Sequence, residues 1–198
     1  PKCGTSSLYF WLAAHPEVFA SKTKETFFFA DKVNRFNKYC NCIEHDLEKY
    51  STYFKAASNK HKIVFEATAA YLYSKNALNH LSAFKNPPKI IFIFREPSAQ
   101  IYSHYKMERY RTKTTSLSLK EYIKLSKIDM YVNYSKFLKK WKTKYPKGLI
   151  KILIFEDLIN NKKETMISIA KFLNINDTFY NSFEFEHRNK SINIRSSK

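Results

Sequence analysis

The chain has 198 residues, of which 44% are hydrophobic and 17% aromatic, and a chain of this size and composition forms a packed globular domain, not a disordered one. Lys and Arg number 35 against 17 Asp and Glu, and the resulting net charge of +18 favours anionic partners. Three cysteines make neither a disulfide framework nor a complete zinc ligand set, and no apolar run is long enough to cross a bilayer. We therefore expect no metal, and a membrane anchor could lie only outside this sequence.

The predicted elements alternate between strands and helices. Short apolar runs rich in β-branched and aromatic residues predict buried strands at 63–65, 90–94 and 150–155. Helices are predicted at 6–14, 46–57, 74–84, 97–109, 119–127, 131–145 and 162–173. This order indicates an α/β fold with a central parallel sheet flanked by helices. We expect one domain over residues 1–198, with its first strand upstream of residue 1.

The start of the chain carries a candidate phosphate loop. Lys2, Gly4 and the hydroxyl residues Thr5, Ser6 and Ser7 directly precede an apolar helical run. A glycine lets the backbone approach an anion, the helix amides face it, and the lysine adds a full charge. The two-glycine Walker loop is absent, so an ordinary helix start remains the alternative at this point.

The ends of the predicted strands carry further polar residues, where ligands of open α/β sheets bind. Arg95 follows the strand at 90–94, and Ser103 lies roughly 9 Å along the next helix from Pro97. Together they could hold one phosphate through a guanidinium and a hydroxyl. A surface arginine and a solvent-facing serine are the alternative.

Five segments in order resemble the sulfotransferase family, most closely the branch with the heparan sulfate and bacterial carbohydrate enzymes. They are PKCGTSSL at 1–8, KETFFF at 24–29, EATAAYL at 66–72, FREP at 94–97 with Ser103 after it, and FEDL at 155–158. The resemblance covers the chain to about residue 173. It implies a fold like that of P-loop nucleotide hydrolases and transfer of a sulfuryl group from 3′-phosphoadenosine 5′-phosphosulfate to a hydroxyl or amine of a carbohydrate.

The resemblance also implies roles for single residues. Lys2 and Glu25 would be catalytic, with Lys2 on the bridging oxygen of the donor and Glu25 as the base. Arg95 and Ser103 would hold the 3′-phosphate. The residues that would cradle the 5′-phosphate are Gly4, Thr5, Ser6 and Ser7. Since a late basic loop of the family is missing near residue 198, we expect a truncated C-terminus.

The sequence says least about the acceptor substrate. Lys106, Arg109, Arg111 and Lys113, with the net charge, favour an acidic glycan, whereas aromatic residues such as Tyr71 would suit a small hydroxylated molecule. Phe27 and Ala67 replace a histidine and a lysine of some glycan-modifying members. A P-loop kinase or nucleotide-binding protein and a basic nucleic-acid-binding module are the alternative functions, and nucleic acid is the least favoured partner because the lysines are scattered.

Two histidines compete with Glu25 as candidate bases. His15 precedes Pro16 and is interpreted as a helix end, while His104 follows Ser103 and is expected near the 3′-phosphate. Glu25 is therefore the preferred base.

Overall fold

The computed structural model describes residues 2–31, 42–43, 46–125 and 133–186. Its strands are β1 (Val18–Ala20), β2 (Ile63–Phe65), β3 (Ile90–Phe94) and β4 (Ile150–Ile154). Its α-helices are α1 (Thr5–Ala13), α2 (Leu47–Ser51), α3 (Lys75–Ala83), α4 (Pro97–Lys106), α5 (Leu119–Leu125), α6 (Tyr134–Lys144), α7 (Phe155–Asn160) and α8 (Lys162–Leu173). Single 3₁₀ turns lie at Thr52–Phe54, Ala69–Tyr73 and Asp177–Asn181, and a π-helical turn at Met107–Arg111 continues α4.

The strands pair in parallel, which confirms the predicted α/β class. β1 pairs with β2, in the register Val18 to Ile63, and β3 pairs with β4, in the register Ile90 to Ile150. One buried cluster joins the apolar faces of α1 and α8, and a second forms around Trp141 of α6. Helices therefore cover the strands, as parallel sheets require.

Most predicted elements are found at their positions. β2, β3 and α8 have the predicted bounds, whereas β1 was not predicted because Val-Phe-Ala contains one β-branched residue where β2 contains two. The predicted strand at 150–155 was one residue too long, since Phe155 begins α7. The predicted helices at 119–127 and 131–145 extend over residues 126–127 and 131–132, which lie outside the described residues.

The predicted helix at 46–57 was also too long. Asp46 caps its start by accepting from the Lys49 amide, but the α-helix ends at Ser51. The hydroxyls of Ser51 and Thr52 donate to the carbonyls of Glu48 and Lys49, at 2.6 and 2.7 Å. Such bonds compete with the backbone ladder, and the chain continues as a 3₁₀ turn.

An apolar slot separates the inner edges of the two strand pairs. A cavity of about 710 Å³ is lined by Ile63 and Phe65 of β2, by Ile91 and Ile93 of β3, and by Leu8 of α1. In the described part of the chain β2 pairs only with β1, and β3 only with β4. Backbone groups of both inner edges are thus available to a further strand. The expected upstream strand stays a prediction, and this slot has the lining to receive one.

A strand added in front of residue 1 should fill the slot and stabilise the fold. The Arg95 guanidinium binds the Lys2 carbonyl beyond the end of β3, so a strand leading into Lys2 would run parallel to β2 and β3. An extension of about six Val and Ile residues is long enough for one strand, and each buried side chain contributes about 1.5–3 kcal/mol. We expect the melting temperature to rise by several degrees over that of an equally long Gly-Ser extension. Equal melting temperatures would show that the slot does not accept a strand.

Candidate active site

The candidate phosphate loop makes a sharp turn into α1. Gly4 has φ +76°, a conformation that other residues adopt at a cost, and the loop begins with Lys2 at φ +65°. A Cβ on Gly4 would lie 2.9 Å from the ring of Phe155, so the loop requires glycine there. Gly4 occupies the N-cap position of α1 and has no side chain to cap the first amides. These amides are suited to an anion.

Arg95 joins this loop to the end of β3. Its guanidinium donates to the Lys2 carbonyl at 3.1 Å and stacks on the Phe155 ring with 4.4 Å to the centroid. Its Nε is buried and has no hydrogen-bond partner among the described residues. A buried donor without a partner is costly, and an anion would satisfy it.

The helix after Arg95 starts with its own cap. The Glu96 carboxylate accepts from the amides of Ser98 and Ala99, at 3.0 and 2.6 Å, and Pro97 occupies the first turn. Hydrogen bonds from Ser98 and from these amides lower the Glu96 pKa, which keeps the cap charged. Ser103 lies on the buried face of α4, and it does not hydrogen-bond to Arg95.

Positive charges converge on Lys2. Burial lowers the pKa of the Lys2 ammonium, and the charges of Arg111, Arg95 and Lys106 lower it further. Within the described ranges Lys2 forms no salt bridge. Like charges held together without a counter-ion favour binding of an anion.

Lys106 and Arg111, which the sequence connects with the acceptor, also contribute to the lowered pKa of Lys2. The π-helical turn carries Arg111, and the Thr112 amide donates to the Met107 carbonyl at 2.9 Å across the wider turn. Such turns occur often at functional sites. Apolar spacing contains no signal for one, so the sequence did not reveal these two contributors.

Glu25 lies on a strained loop beside the 66–71 segment. Its φ is +62°, and that of Phe27 is +55°. One carboxylate oxygen pairs with Lys24 Nζ at 2.5 Å, and the other accepts from the Ala69 amide at 2.9 Å. The Glu25 amide in turn donates to the Ala67 carbonyl at 2.9 Å. These contacts fix both the backbone and the carboxylate.

The phosphate loop and the Glu25 loop meet at the same cavity. Cys3 and Thr5 line it from one side, and Thr68 and Ala69 line it from the other. Ala69, which lines this cavity, donates its amide to the Glu25 carboxylate at 2.9 Å. The Glu25 carboxylate forms its salt bridge with Lys24 and not with Lys2.

The two histidines differ in setting. His15 is buried, its Nδ1 accepts from the Glu17 amide, and its Nε2 donates to the Asn176 carbonyl, which confirms a structural role at the end of α1. His104 is hydrogen-bonded to the Tyr122 hydroxyl at 2.7 Å. Burial lowers the His104 pKa, and the charge of Glu108, whose carboxylate lies 3.9 Å from Nδ1, opposes this shift.

Neither a metal-ligand cluster nor a membrane-spanning helix occurs in the described residues. In residues 2–31, 42–43, 46–125 and 133–186, no group of three His, Cys, Asp or Glu side chains could hold a metal ion. None of the helices in those ranges has the length and apolar character to span a bilayer.

Comparison with known proteins identifies the family of this chain. Residues 1–194 match the sulfotransferase domain. Human bifunctional heparan sulfate N-deacetylase/N-sulfotransferase 2 is 27% identical over 191 residues, which are 88% of this chain and 21% of that protein. Mouse carbohydrate sulfotransferase 15 is 26% identical over 238 residues, covering 88% of this chain and 42% of that protein. The chain thus spans well under half the length of these curated relatives.

A solved structure agrees at the level of the fold. The sulfotransferase from Alicyclobacillus acidocaldarius superposes with a TM-score of 0.74 and 19% identity, over 96% of this chain and 83% of that chain. With the family match over nearly the whole sequence, this shows that the chain belongs to the sulfotransferase family.

Proposed function

We propose that this domain transfers a sulfuryl group from 3′-phosphoadenosine 5′-phosphosulfate to a hydroxyl or amine of a carbohydrate. The observation that carries the proposal is the set of positive charges around Lys2 at the uncapped start of α1. The family match supports the reaction type. The names of the relatives, which refer to heparan sulfate and carbohydrate, support the acceptor class.

The donor would bind across the phosphate loop and the end of β3. In this proposal the first amides of α1 hold the 5′-phosphate, assisted by the hydroxyls of Thr5 and Ser6. The 3′-phosphate binds Arg95 and Ser103, and the buried Nε of Arg95 gains an acceptor. Gly4 allows this loop conformation, since a Cβ there would lie 2.9 Å from the Phe155 ring. Ser7 is buried and lies in the first turn of α1, after Thr5 and Ser6.

The reaction would be an in-line displacement at sulfur. The acceptor oxygen or nitrogen forms a bond to sulfur while the bond from sulfur to the bridging oxygen breaks, and adenosine 3′,5′-bisphosphate leaves. Lys2 stabilises the charge that develops on the bridging oxygen. Glu25 takes the proton from the acceptor, and its bonds to Lys24 and the Ala69 amide aim the carboxylate.

Nucleotide binding should depend on the 3′-phosphate. Adenosine 3′,5′-bisphosphate should raise the melting temperature much more than AMP at the same concentration, because tighter binding to the folded state stabilises it more. Arg95→Ala should remove most of this difference, whereas Arg109→Ala, whose guanidinium binds the Thr115 carbonyl, should leave it unchanged. Equal shifts from both nucleotides in the parent protein would contradict the assigned 3′-phosphate site.

Turnover should depend on the Glu25 carboxylate. Glu25→Gln keeps the shape but cannot take a proton, so kcat should fall by about 10²-fold or more while the affinity for adenosine 3′,5′-bisphosphate stays nearly the same. Glu48→Gln, an exposed change on α2, is the matched control. Initial rates of sulfate transfer measure the effect, and unchanged kcat in Glu25→Gln would exclude this residue as the base.

The acceptor should be polyanionic. The net charge of +18 should attract an acidic glycan, and this attraction weakens with salt. Transfer of radiolabelled sulfate to a panel of glycans and small alcohols, at low and high ionic strength, should favour acidic glycans and decline with salt. Transfer to small neutral acceptors alone, without salt dependence, would overturn the acidic-glycan assignment and leave the sulfotransferase proposal standing.

A further inference from the structure

We propose that Glu66 is a positioning residue that holds the loop carrying Glu25 in its working conformation, through three hydroxyls that connect its carboxylate to the backbone of that loop. The proposal rests on the role of Glu25 as the base. Glu66 itself lies on the segment after β2 and lines the cavity.

Four hydroxyls donate to the Glu66 carboxylate. Thr26 and Thr68 bind Oε2, both at 2.7 Å, and Tyr71 binds Oε1 at 2.6 Å. Tyr50 makes a longer bond of 3.4 Å to Oε1. An ionised carboxylate can only accept hydrogen bonds, so it turns the protons of these hydroxyls toward itself.

Three of these hydroxyls accept in turn from consecutive amides of the Glu25 loop. The amide of Phe27 donates to the Thr68 hydroxyl at 3.2 Å, and that of Phe28 donates to the Thr26 hydroxyl at 3.3 Å. The Phe29 amide donates to the Tyr71 hydroxyl at 3.1 Å. Since each hydroxyl gives its proton to Glu66, its lone pairs are left for the loop.

This arrangement explains how the strained loop persists. Glu25 and Phe27 both have positive φ, which side-chain-bearing residues keep only where surrounding contacts hold them. The side chains of Phe28 and Phe29 are buried in a core cluster, so this packing and the three amide hydrogen bonds together hold the loop. Loss of the carboxylate would free the hydroxyls to turn and would loosen the backbone next to Glu25.

Burial and hydrogen bonding act on the pKa of the Glu66 carboxyl in opposite directions. Burial raises its pKa above that of an ordinary carboxyl, and the hydrogen bonds from Tyr71, Thr26 and Thr68 oppose the rise. Among the described residues no cation forms a salt bridge with it. The hydroxyls that bind at 2.6–2.7 Å are therefore the main stabilising contacts of the buried carboxylate.

The test is a comparison of two tyrosines that bind the same carboxylate oxygen. Tyr71→Phe removes a hydroxyl that connects Glu66 to the loop, whereas Tyr50→Phe removes one that binds Glu66 without a bond to those three amides. Tyr71→Phe should lower kcat by about 10-fold or more, because small displacements of a catalytic group are costly, and leave the KM for the donor within about twofold. Tyr50→Phe should leave kcat within about twofold of the parent protein on the same argument. Equal losses in both variants would overturn the proposal.

Glu66→Gln, measured with and without Glu25→Gln, separates positioning from general stability. A residue that acts through Glu25 should lower kcat by about 10-fold or more in the parent protein and by less than about twofold in the Glu25→Gln background. The same loss in both backgrounds would show a merely structural role. If Glu66→Gln does not fold, Thr26→Val takes its place in the cycle, with Thr26→Ser expected to restore turnover.

The outcomes also separate this inference from the proposed function. Loss of turnover in Glu25→Gln, with none in Glu66→Gln, would overturn positioning and leave the base in place. Full turnover in Glu25→Gln would remove the base, and positioning with it. Melting temperature and affinity for adenosine 3′,5′-bisphosphate, measured on every variant, should stay close to the parent values if the fold and donor site are intact.

Discussion

The hydrogen bond from Arg95 to the Lys2 carbonyl connects the two halves of the proposed donor site. It fastens the end of β3 to the loop that starts α1, and stacking of the same guanidinium on Phe155 adds the start of α7. Two features of the loop are connected with this contact. Gly4 must lack a side chain because Phe155 lies against it. Lys2 is partly buried near other positive charges, and such an arrangement is costly without an anion.

The proposed donor side and the Glu25 loop are held by different means. Around Lys2, burial and neighbouring positive charges lower the pKa of the ammonium, and such a group of cations favours an anion. The Glu25 loop is held by hydroxyls and a carboxylate that satisfy each other's hydrogen bonds.

The slot between the strand pairs has a direct bearing on the site. The cavity that separates β2 from β3 also borders Thr5 and Ala69, so the packing of the sheet and the position of the reacting groups are connected. Two-stranded sheets are weakly stable by themselves, and here helices α1, α6 and α8 supply most of the apolar cover.

Much of the framework could be predicted from local sequence. Two strands and one helix have the bounds predicted from their apolar patterns, at 63–65, 90–94 and 162–173. Each pattern is long enough, or rich enough in β-branched residues, to indicate its secondary structure. The segments around Lys2 and Arg95 were recognisable because their chemistry lies in consecutive residues. The assigned roles of Glu25, Ser103 and the phosphate-loop hydroxyls remain predictions.

What the sequence by itself determined was the α/β class and the identity of the candidate donor residues, because both depend on neighbours along the chain. Tertiary structure decided the rest. Arg111, at the end of a π-helical turn, contributes to the lowered pKa of Lys2, and Glu66 binds Thr26 from 40 residues away. Spacing along the chain cannot reveal such pairings, since they arise when packing closes long loops and brings buried polar groups to the partners that satisfy them.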